Sequence, residues 1–261
     1  MSATPTATAP AVSVVDLTLP VPDREPPVRA WLVAGDDGAA GRSRAGVLWL
    51  HWLGHRQGDR GEFLPLAVEL ASRGVVSLLP AGHFPWVPDP DGTARDVTRV
   101  LEQVDACGAA LDHLLGRPGV DAGRVAVVGH DYGGMYAALL ADRDERVSTL
   151  ALQAVDAGWA NWFTTYWLEL DDAARTDYAE RFSAIEPVAA VERSAERLGD
   201  GLLLQWAGND TFVGAEVPAA YATANPQART IDYPKADHML GDRALHDLTA
   251  FLAERLGLDQ N

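Results

Sequence analysis

Short apolar runs alternate along the chain with segments whose apolar residues recur at helical spacing. The runs are brief and many are rich in Val and Leu, which is typical of strands in a buried sheet. They predict strands at 13–19, 28–34, 46–50, 75–80, 125–128, 147–155, 202–206 and 230–233. The periodic segments predict amphipathic helices at 62–72, 97–115, 217–224 and 245–256, with one more helix after Gly134.

The order of these elements indicates the architecture. The first two strands are separated by a proline-rich turn at Pro26 and Pro27 and should form an antiparallel pair. The later strands alternate with helices, which predicts a mostly parallel central sheet flanked by helices on both faces. The chain is therefore assigned to the α/β class.

Two segments fall outside this alternation. Residues 156–200 contain an aromatic cluster followed by the charged run Asp171 to Arg181, and their length suits a small helical lid inserted above the sheet. Residues 1–12 are rich in Thr, Ala and Pro and predict a disordered tail. The remaining residues, 13–261, are expected to form one domain.

Composition and charge narrow the classes of function. The chain has 261 residues, 48% of them apolar, which suffices for a packed core. A formal net charge of −16 opposes binding to nucleic acid or an anionic membrane, and no apolar run is long enough to cross a bilayer. The expected partner is a small-molecule substrate, the expected location is the cytoplasm, and a homodimer is left open.

Cysteine and histidine spacing gives no zinc-like cluster. No metal and no organic cofactor are predicted.

The most informative stretch joins the strand at 125–128 to the helix that follows it. Glycines two positions before and two positions after a residue let a strand-turn-helix bend sharply enough to expose that residue, an arrangement called a nucleophile elbow. Gly129 and Gly133 flank Asp131 in this way. The sequence therefore predicts a carboxylate nucleophile. The alternative is an acidic residue that merely closes a strand near solvent.

A carboxylate nucleophile restricts the chemistry. Its attack on an ester or amide carbonyl would give a mixed anhydride, which is less stable than the substrate. Displacement of a leaving group from a saturated carbon instead gives an ester of Asp131, which water then hydrolyses at the Asp carbonyl. Substrates of that kind are epoxides and alkyl halides.

Breakdown of such an ester needs a base and an acidic residue that orients the base. His238, between the last strand and the last helix, is the predicted base, and Asp210, after the strand at 202–206, is predicted to orient it. Both positions fall at the carboxyl edge of a parallel sheet, where open α/β sheets place their sites. Asp156 is the rival for the acidic position, but the Gly-Asn turn before Asp210 favours Asp210.

Backbone amides and aromatic side chains complete the predicted site. Two N–H groups should face the charge that develops on the Asp131 carbonyl. Tyr132 is predicted to supply one and Leu53 the other, with Trp52 or Gly54 as alternatives to Leu53. The candidates for an apolar substrate pocket are Trp52, Trp86, Trp159, Trp162 and Tyr166. Indole N–H groups, including that of Trp167, could hold a halide, although a Trp-rich insertion is equally consistent with a simple hydrophobic lid.

These motifs resemble those of the α/β-hydrolase superfamily over nearly the whole chain. The elbow Gly129-His130-Asp131-Tyr132-Gly133 is similar to that of haloalkane dehalogenases and epoxide hydrolases. The segment Leu202 to Leu240 instead resembles dienelactone hydrolases, which carry a cysteine where this chain has Asp131. The resemblance implies an α/β-hydrolase fold and a hydrolase with an Asp-His-Asp triad.

The chain also departs from both patterns. Dehalogenases usually have a halide-binding tryptophan after the nucleophile, where this chain has Tyr132. Epoxide hydrolases usually have a His-Gly-x-Pro segment, and the stretch from His51 to Gly54 lacks the proline. They also have two lid tyrosines that protonate the opening ring, a role for which Tyr166 and Tyr178 are available.

The sequence thus predicts a hydrolase that acts on a small apolar organic molecule through an aspartyl ester, like an epoxide hydrolase or a dehalogenase. Two alternatives stay open. In the first, Asp131 acts as a general base on water in an ester or lactone hydrolase. In the second, the chain is a non-hydrolytic member of the fold that binds a ligand or guides a cyclisation, because a fold does not fix a function.

Overall fold

The computed structural model describes residues 11–21, 24–35, 43–54 and 60–258. The predicted tail at 1–12 lies outside these ranges except for its last two residues, and Val12 already belongs to the first strand. Within the described ranges the strands are β1 Val12–Val21, β2 Arg24–Gly35, β3 Arg44–Leu50, β4 Val76–Pro80, β5 Val120–His130, β6 Thr149–Gln153, β7 Leu202–Ala207 and β8 Arg229–Tyr233.

The helices lie mainly between these strands. They are α1 Leu64–Ala71, α2 Ala94–Leu115, α3 Tyr132–Arg143, α4 Trp159–Tyr166, α5 Asp172–Phe182, α6 Pro187–Leu198, α7 Val217–Ala224 and α8 Asp242–Arg255. Short 3-10 turns at Ser183–Ile185 and Gly199–Gly201 precede and follow α6. Among the residues described here, no helix is both long and apolar enough to cross a bilayer.

All the described strands join one sheet in the order β1-β2-β4-β3-β5-β6-β7-β8. β2 is antiparallel to both β1 and β4, so the predicted opening pair is confirmed. Every other pairing is parallel. The predicted mostly parallel sheet is therefore confirmed.

Helices cover both faces of this sheet, as β3 illustrates. Leu48 and Leu50 belong to the core that includes residues of α2 and α3, whereas Val47 and Trp49 belong to the core that includes residues of α1 and α8. Successive side chains of a strand point to opposite faces, so a strand between two helical layers needs apolar residues throughout. This requirement explains the continuous apolar runs in the sequence.

The segment between β6 and β7 folds into α4, α5 and α6. Within α5 only Tyr178 and Phe182 are buried, which agrees with its charged sequence. The Tyr178 hydroxyl donates to the buried Asp96 of α2 at 2.7 Å and ties α5 to the main body. Of the segment predicted as a lid at 156–200, α4 and α5 pack against each other, whereas α6 packs against α3.

The turn from β5 into α3 requires glycine for steric reasons. A Cβ on Gly129 would lie 2.5 Å from the Gly133 carbonyl oxygen, and a Cβ on Gly133 would overlap the Leu50 carbonyl oxygen at the end of β3. Both obstacles are backbone atoms, which cannot rotate aside. Between these glycines Asp131 has φ 50°, a value that residues with a side chain rarely adopt. The glycine spacing of the sequence thus reflects close backbone packing.

Replacing Gly133 with Ala should lower the free energy of unfolding by about 1–3 kcal/mol, because the new methyl group must displace the backbone carbonyl groups of Leu50 and His51. Denaturant unfolding monitored by circular dichroism would measure the loss. Gly108→Ala is the matched control, because its Cβ would meet nothing nearer than the Leu140 side chain at 4.0 Å in the middle of α2. That variant should be neutral or slightly more stable. Equal stability of Gly133→Ala and wild type would contradict the steric explanation.

Candidate active site

Asp131 is fixed by its backbone at the junction of β5 and α3. Its N–H donates to the Gln153 carbonyl at 2.8 Å, and its carbonyl accepts from Met135 N–H at 3.1 Å. The residue is only 6% exposed. These bonds hold the strained turn and leave the carboxylate as the part of the residue that can react.

The predicted base and acid both lie beside Asp131. His238 Nδ1 is 2.9 Å from Asp210 Oδ2, and His238 Nε2 is 3.7 Å from Asp131 Oδ1. The other oxygen of Asp210 accepts the backbone N–H groups of Phe212 and Val213 at 2.8 and 3.1 Å. The structure therefore brings the three predicted residues together, with a hydrogen bond between His238 and Asp210 and a separation of 3.7 Å between His238 and Asp131.

The rival acid, Asp156, occupies a different environment. It is 4% exposed and accepts the Gly158 N–H at 3.2 Å, in the segment that leads into α4. The structure thus places Asp210, rather than Asp156, against the ring of His238.

The loop after β3 supplies a backbone amide that donates to the Asp131 carboxylate. Leu53 N–H donates to Asp131 Oδ2 at 3.2 Å, whereas Trp52 N–H donates to Glu62 Oε2 at 2.7 Å. Leu53 is thus the amide of this loop that matches the predicted oxyanion donor. The other predicted donor, Tyr132, is the first residue of α3 and directly follows Asp131.

His51 shapes the same loop. Its Nε2 accepts the Gly82 N–H at 2.9 Å, so the ring proton must lie on Nδ1, which donates to the Trp52 carbonyl at 2.7 Å. The ring is buried. These two bonds anchor the start of the loop whose next amide reaches Asp131.

A cavity of about 330 Å³ opens above Asp131 and His238. Four of the predicted pocket residues line it, namely Trp52, Trp86, Trp162 and Tyr166, together with Leu53, Gly54, Trp167 and Phe212. The fifth predicted residue, Trp159, does not line the cavity. It is fully buried and packs against Tyr136 and Phe163 at ring-centroid distances of 4.7 and 5.7 Å.

Phe212 is a cavity residue that the sequence did not indicate. It is a single aromatic residue in the loop after β7, without the clustering that marked the tryptophans. Within the described ranges, no group of three or more His, Cys, Asp or Glu side chains is arranged to hold a metal ion.

Comparison with known proteins gives similarity in structure only. No protein-family model matches the sequence, and no curated protein matches it. Oligopeptidase B from Leishmania major aligns over 95% of this chain and 37% of its own, with a TM-score of 0.74 and 14% identity. A Klebsiella pneumoniae protein provisionally assigned as a dienelactone hydrolase aligns over 95% and 99%, with a TM-score of 0.64 and 15% identity.

An esterase from Pyrococcus furiosus aligns over 94% of this chain and 92% of its own, with a TM-score of 0.63 and 16% identity. This chain has the α/β-hydrolase fold. It spans little more than a third of the length of oligopeptidase B. At these identities the similarity establishes the fold and leaves the chemistry to be argued from the site.

The charges around this site favour a protonated His238. Burial alone would lower the pKa of His238, but contacts with the Asp131 and Asp210 carboxylates outweigh it and raise that pKa to about 9. Burial would likewise raise the pKa of Asp210, yet the hydrogen bonds from His238, Phe212 and Val213 hold it below its usual value. At neutral pH an imidazolium therefore lies between two carboxylates.

Two residues that the sequence did not single out link the loops of the site. Glu62 Oε1 is 2.5 Å from His130 Nδ1, and Glu62 Oε2 accepts the Trp52 N–H. His130 Nε2 is 3.0 Å from the His238 carbonyl oxygen, so it must carry a proton and donate. Glu62 and His130 thereby connect the loop after β3, the elbow and the loop of His238.

Replacing Asp210 with Asn should lower the pKa of His238 below about 9, since it removes one carboxylate. Histidine NMR titration would measure that pKa. Because the folded pKa lies above the unfolded value of about 6.5, the stabilisation is complete below that value and is lost as the pH rises through about 9. Melting temperatures should therefore fall over this range less steeply in Asp210→Asn than in wild type.

Asp156→Asn is the control for this measurement, because Asp156 has no contact with the His238 ring among those described. Its His238 pKa should stay near the wild-type value. An unchanged pKa in Asp210→Asn, or an equal drop in both variants, would contradict the assigned pairing.

Proposed function

We propose that this chain is a hydrolase that attacks a saturated electrophilic carbon of a small, apolar molecule and forms an ester with Asp131. The supporting observation is the carboxylate at the elbow, with one oxygen on the Leu53 amide and the other facing His238 Nε2. The α/β-hydrolase fold, whose solved examples include named hydrolases, agrees with this proposal.

In the first step Asp131 Oδ1 attacks the carbon. The C–O bond of an epoxide or the C–halogen bond of an alkyl halide breaks, and the bonding electrons leave on oxygen or halide. For an epoxide, the opened oxygen must gain a proton. Tyr166 lines the cavity, and its hydroxyl can transfer its proton to that oxygen, which leaves a phenolate on Tyr166.

The second tyrosine considered for this role lies elsewhere. The Tyr178 hydroxyl is buried, donates to Asp96 and does not line the cavity. A single tyrosine, Tyr166, therefore carries the proposed proton donation.

In the second step water hydrolyses the ester. Esterification removes the negative charge of Asp131, which was one of the two charges that raised the pKa of His238. The imidazolium then releases its proton, to the Tyr166 phenolate after epoxide opening or to solvent after halide departure, and the neutral imidazole can accept a proton from water. The water oxygen attacks the Asp131 carbonyl, and the negative charge develops on the oxygen that faces the Leu53 N–H. The ester C–O bond at the carbonyl then breaks, and the departing alkoxide takes the proton that His238 accepted from water. The carboxylic acid left on Asp131 transfers its proton to His238, which restores the starting carboxylate and imidazolium.

The hydrogen bond from Leu53 N–H to Asp131 argues against the alternative in which Asp131 is the general base of an ester or lactone hydrolase. Such an enzyme needs free N–H donors for the carbonyl oxygen of its substrate. Here the Leu53 N–H already binds the enzyme's own carboxylate. That amide therefore suits an intermediate formed on Asp131 better than one formed on a bound ester.

Replacing His238 with Gln should trap the ester, because its formation needs only Asp131 whereas its breakdown needs the base. The variant would be incubated with a terminal epoxide, a haloalkane and an aryl ester, after wild-type turnover of one of them is established. Intact-protein mass should rise by the transferred group on the peptide that contains Asp131. Steady-state turnover should fall by about 10⁴-fold.

Asp131→Asn combined with His238→Gln is the matched control and should gain no mass. An unchanged mass of His238→Gln with a substrate that wild type consumes would refute the covalent route. Failure of wild type to turn over any of the three probes would favour the binding or cyclising alternative.

A single turnover in ¹⁸O-labelled water should place the label in Asp131 and not in the product, because water attacks the carboxyl carbon and the product takes its oxygen from Asp131. Mass spectrometry of the product and of the Asp131 peptide would measure both. Label in the first product molecule would indicate direct attack by water and support the general-base alternative.

A further inference from the structure

Aromatic rings form a continuous surface around one side of the cavity. Each ring contacts the next at centroid distances from 4.9 to 6.5 Å. The series runs in the order Trp86, Trp167, Trp162, Tyr166, Phe212 and His238. We call its first five members the aromatic wall.

The aromatic wall is assembled from three separate segments. Trp162, Tyr166 and Trp167 come from α4 and the residue after it, Trp86 comes from the loop after β4, and Phe212 comes from the loop after β7. Neighbouring rings are inclined by 48–75°, so the wall presents ring edges as well as ring faces. Edges carry partial positive charge and faces partial negative charge.

This surface differs from a general apolar pocket. Aromatic pairs in edge-to-face or offset arrangements gain free energy beyond that of the buried area, whereas a saturated ring of similar size gains only the area term. Among the described residues that line the cavity, only Asp131 and His238 can carry charge at neutral pH. The volume of about 330 Å³ lies at the small end of ligand pockets, which span about 300–1,000 Å³.

We infer that the substrate is uncharged and carries one aryl ring, which packs against the aromatic wall while the electrophilic carbon lies at Asp131. The assignment of that carbon rests on the proposed function. The preference for an aryl ring rests on the wall alone. The structure therefore assigns an aryl-substituted epoxide or an aryl-substituted alkyl halide as the substrate class.

Binding of unreactive diols tests the ring preference without chemistry. The probes are 1-phenylethane-1,2-diol and 1-cyclohexylethane-1,2-diol, which differ only in the ring. Isothermal titration calorimetry with wild-type protein should give a dissociation constant about three- to tenfold lower for the phenyl compound. Equal affinity, tighter binding of the cyclohexyl compound, or no binding of the phenyl compound at millimolar concentration would overturn the inference.

Variants of the wall should remove this preference. Phe212 is 51% exposed and Trp167 is partly exposed, so Phe212→Leu and Trp167→Leu should fold while bringing the two affinities closer together. Trp167→Phe keeps an aromatic ring and should retain more of the preference than Trp167→Leu. Trp31→Leu, on β2 and outside the cavity, is the control and should leave the preference unchanged. A full preference in both leucine variants of the wall would also overturn the inference.

A reactive pair of probes separates this inference from the proposed function. His238→Gln would be incubated with 2-phenyloxirane and with 2-cyclohexyloxirane. Phenyl preference of the diols without an adduct on Asp131 would refute the ester mechanism and leave the aryl site intact. Equal adducts from both epoxides, with equal binding of both diols, would refute the aryl site and leave the ester mechanism intact.

Discussion

Close contact between the β5–α3 turn and the end of β3 determines the geometry of the site. Because Gly133 has no side chain, the turn can lie directly against the carbonyl groups of Leu50 and His51. Leu53 follows only three residues after Leu50, so the same contact brings its amide to within 3.2 Å of the Asp131 carboxylate. The position of Asp131 and that of its hydrogen-bond donor thus have one steric origin.

In the proposed mechanism, the charges around His238 give it a different protonation state in each of the two steps. The Asp131 and Asp210 carboxylates hold the imidazole in its protonated form, and its positive charge compensates for the burial of Asp131. Loss of the charge on Asp131 changes that balance and frees the imidazole to act as a base. In the proposed mechanism, the order of the two steps therefore follows from the charges of three side chains.

The sequence predicted the parts of the structure that depend on local pattern. Strand and helix order, the antiparallel start of the sheet and the glycines around Asp131 follow from spacing along the chain, and the structure confirms the fold. The positions of Asp210 and His238 were predictable because both residues end up at the carboxyl edge of a parallel sheet.

Contacts between distant segments were not predictable in the same way. Glu62 and His130 are 68 residues apart, and His130 bonds a carbonyl that lies 108 residues further along the chain. No spacing rule connects such residues, because their contact depends on how the loops pack. Trp159 was also predicted wrongly. Its residue type suggested that it lines the pocket, but the first residue of α4 is buried in the core.

Phe212 makes three contacts at the site. Its backbone N–H holds a carboxylate oxygen of Asp210, and its ring lies 4.9 Å from that of His238 and borders the cavity. A molecule that fills the cavity and presses on this ring would act on the same short turn that orients the acid. A ligand in the cavity would therefore contact a residue whose backbone also holds the carboxylate of Asp210.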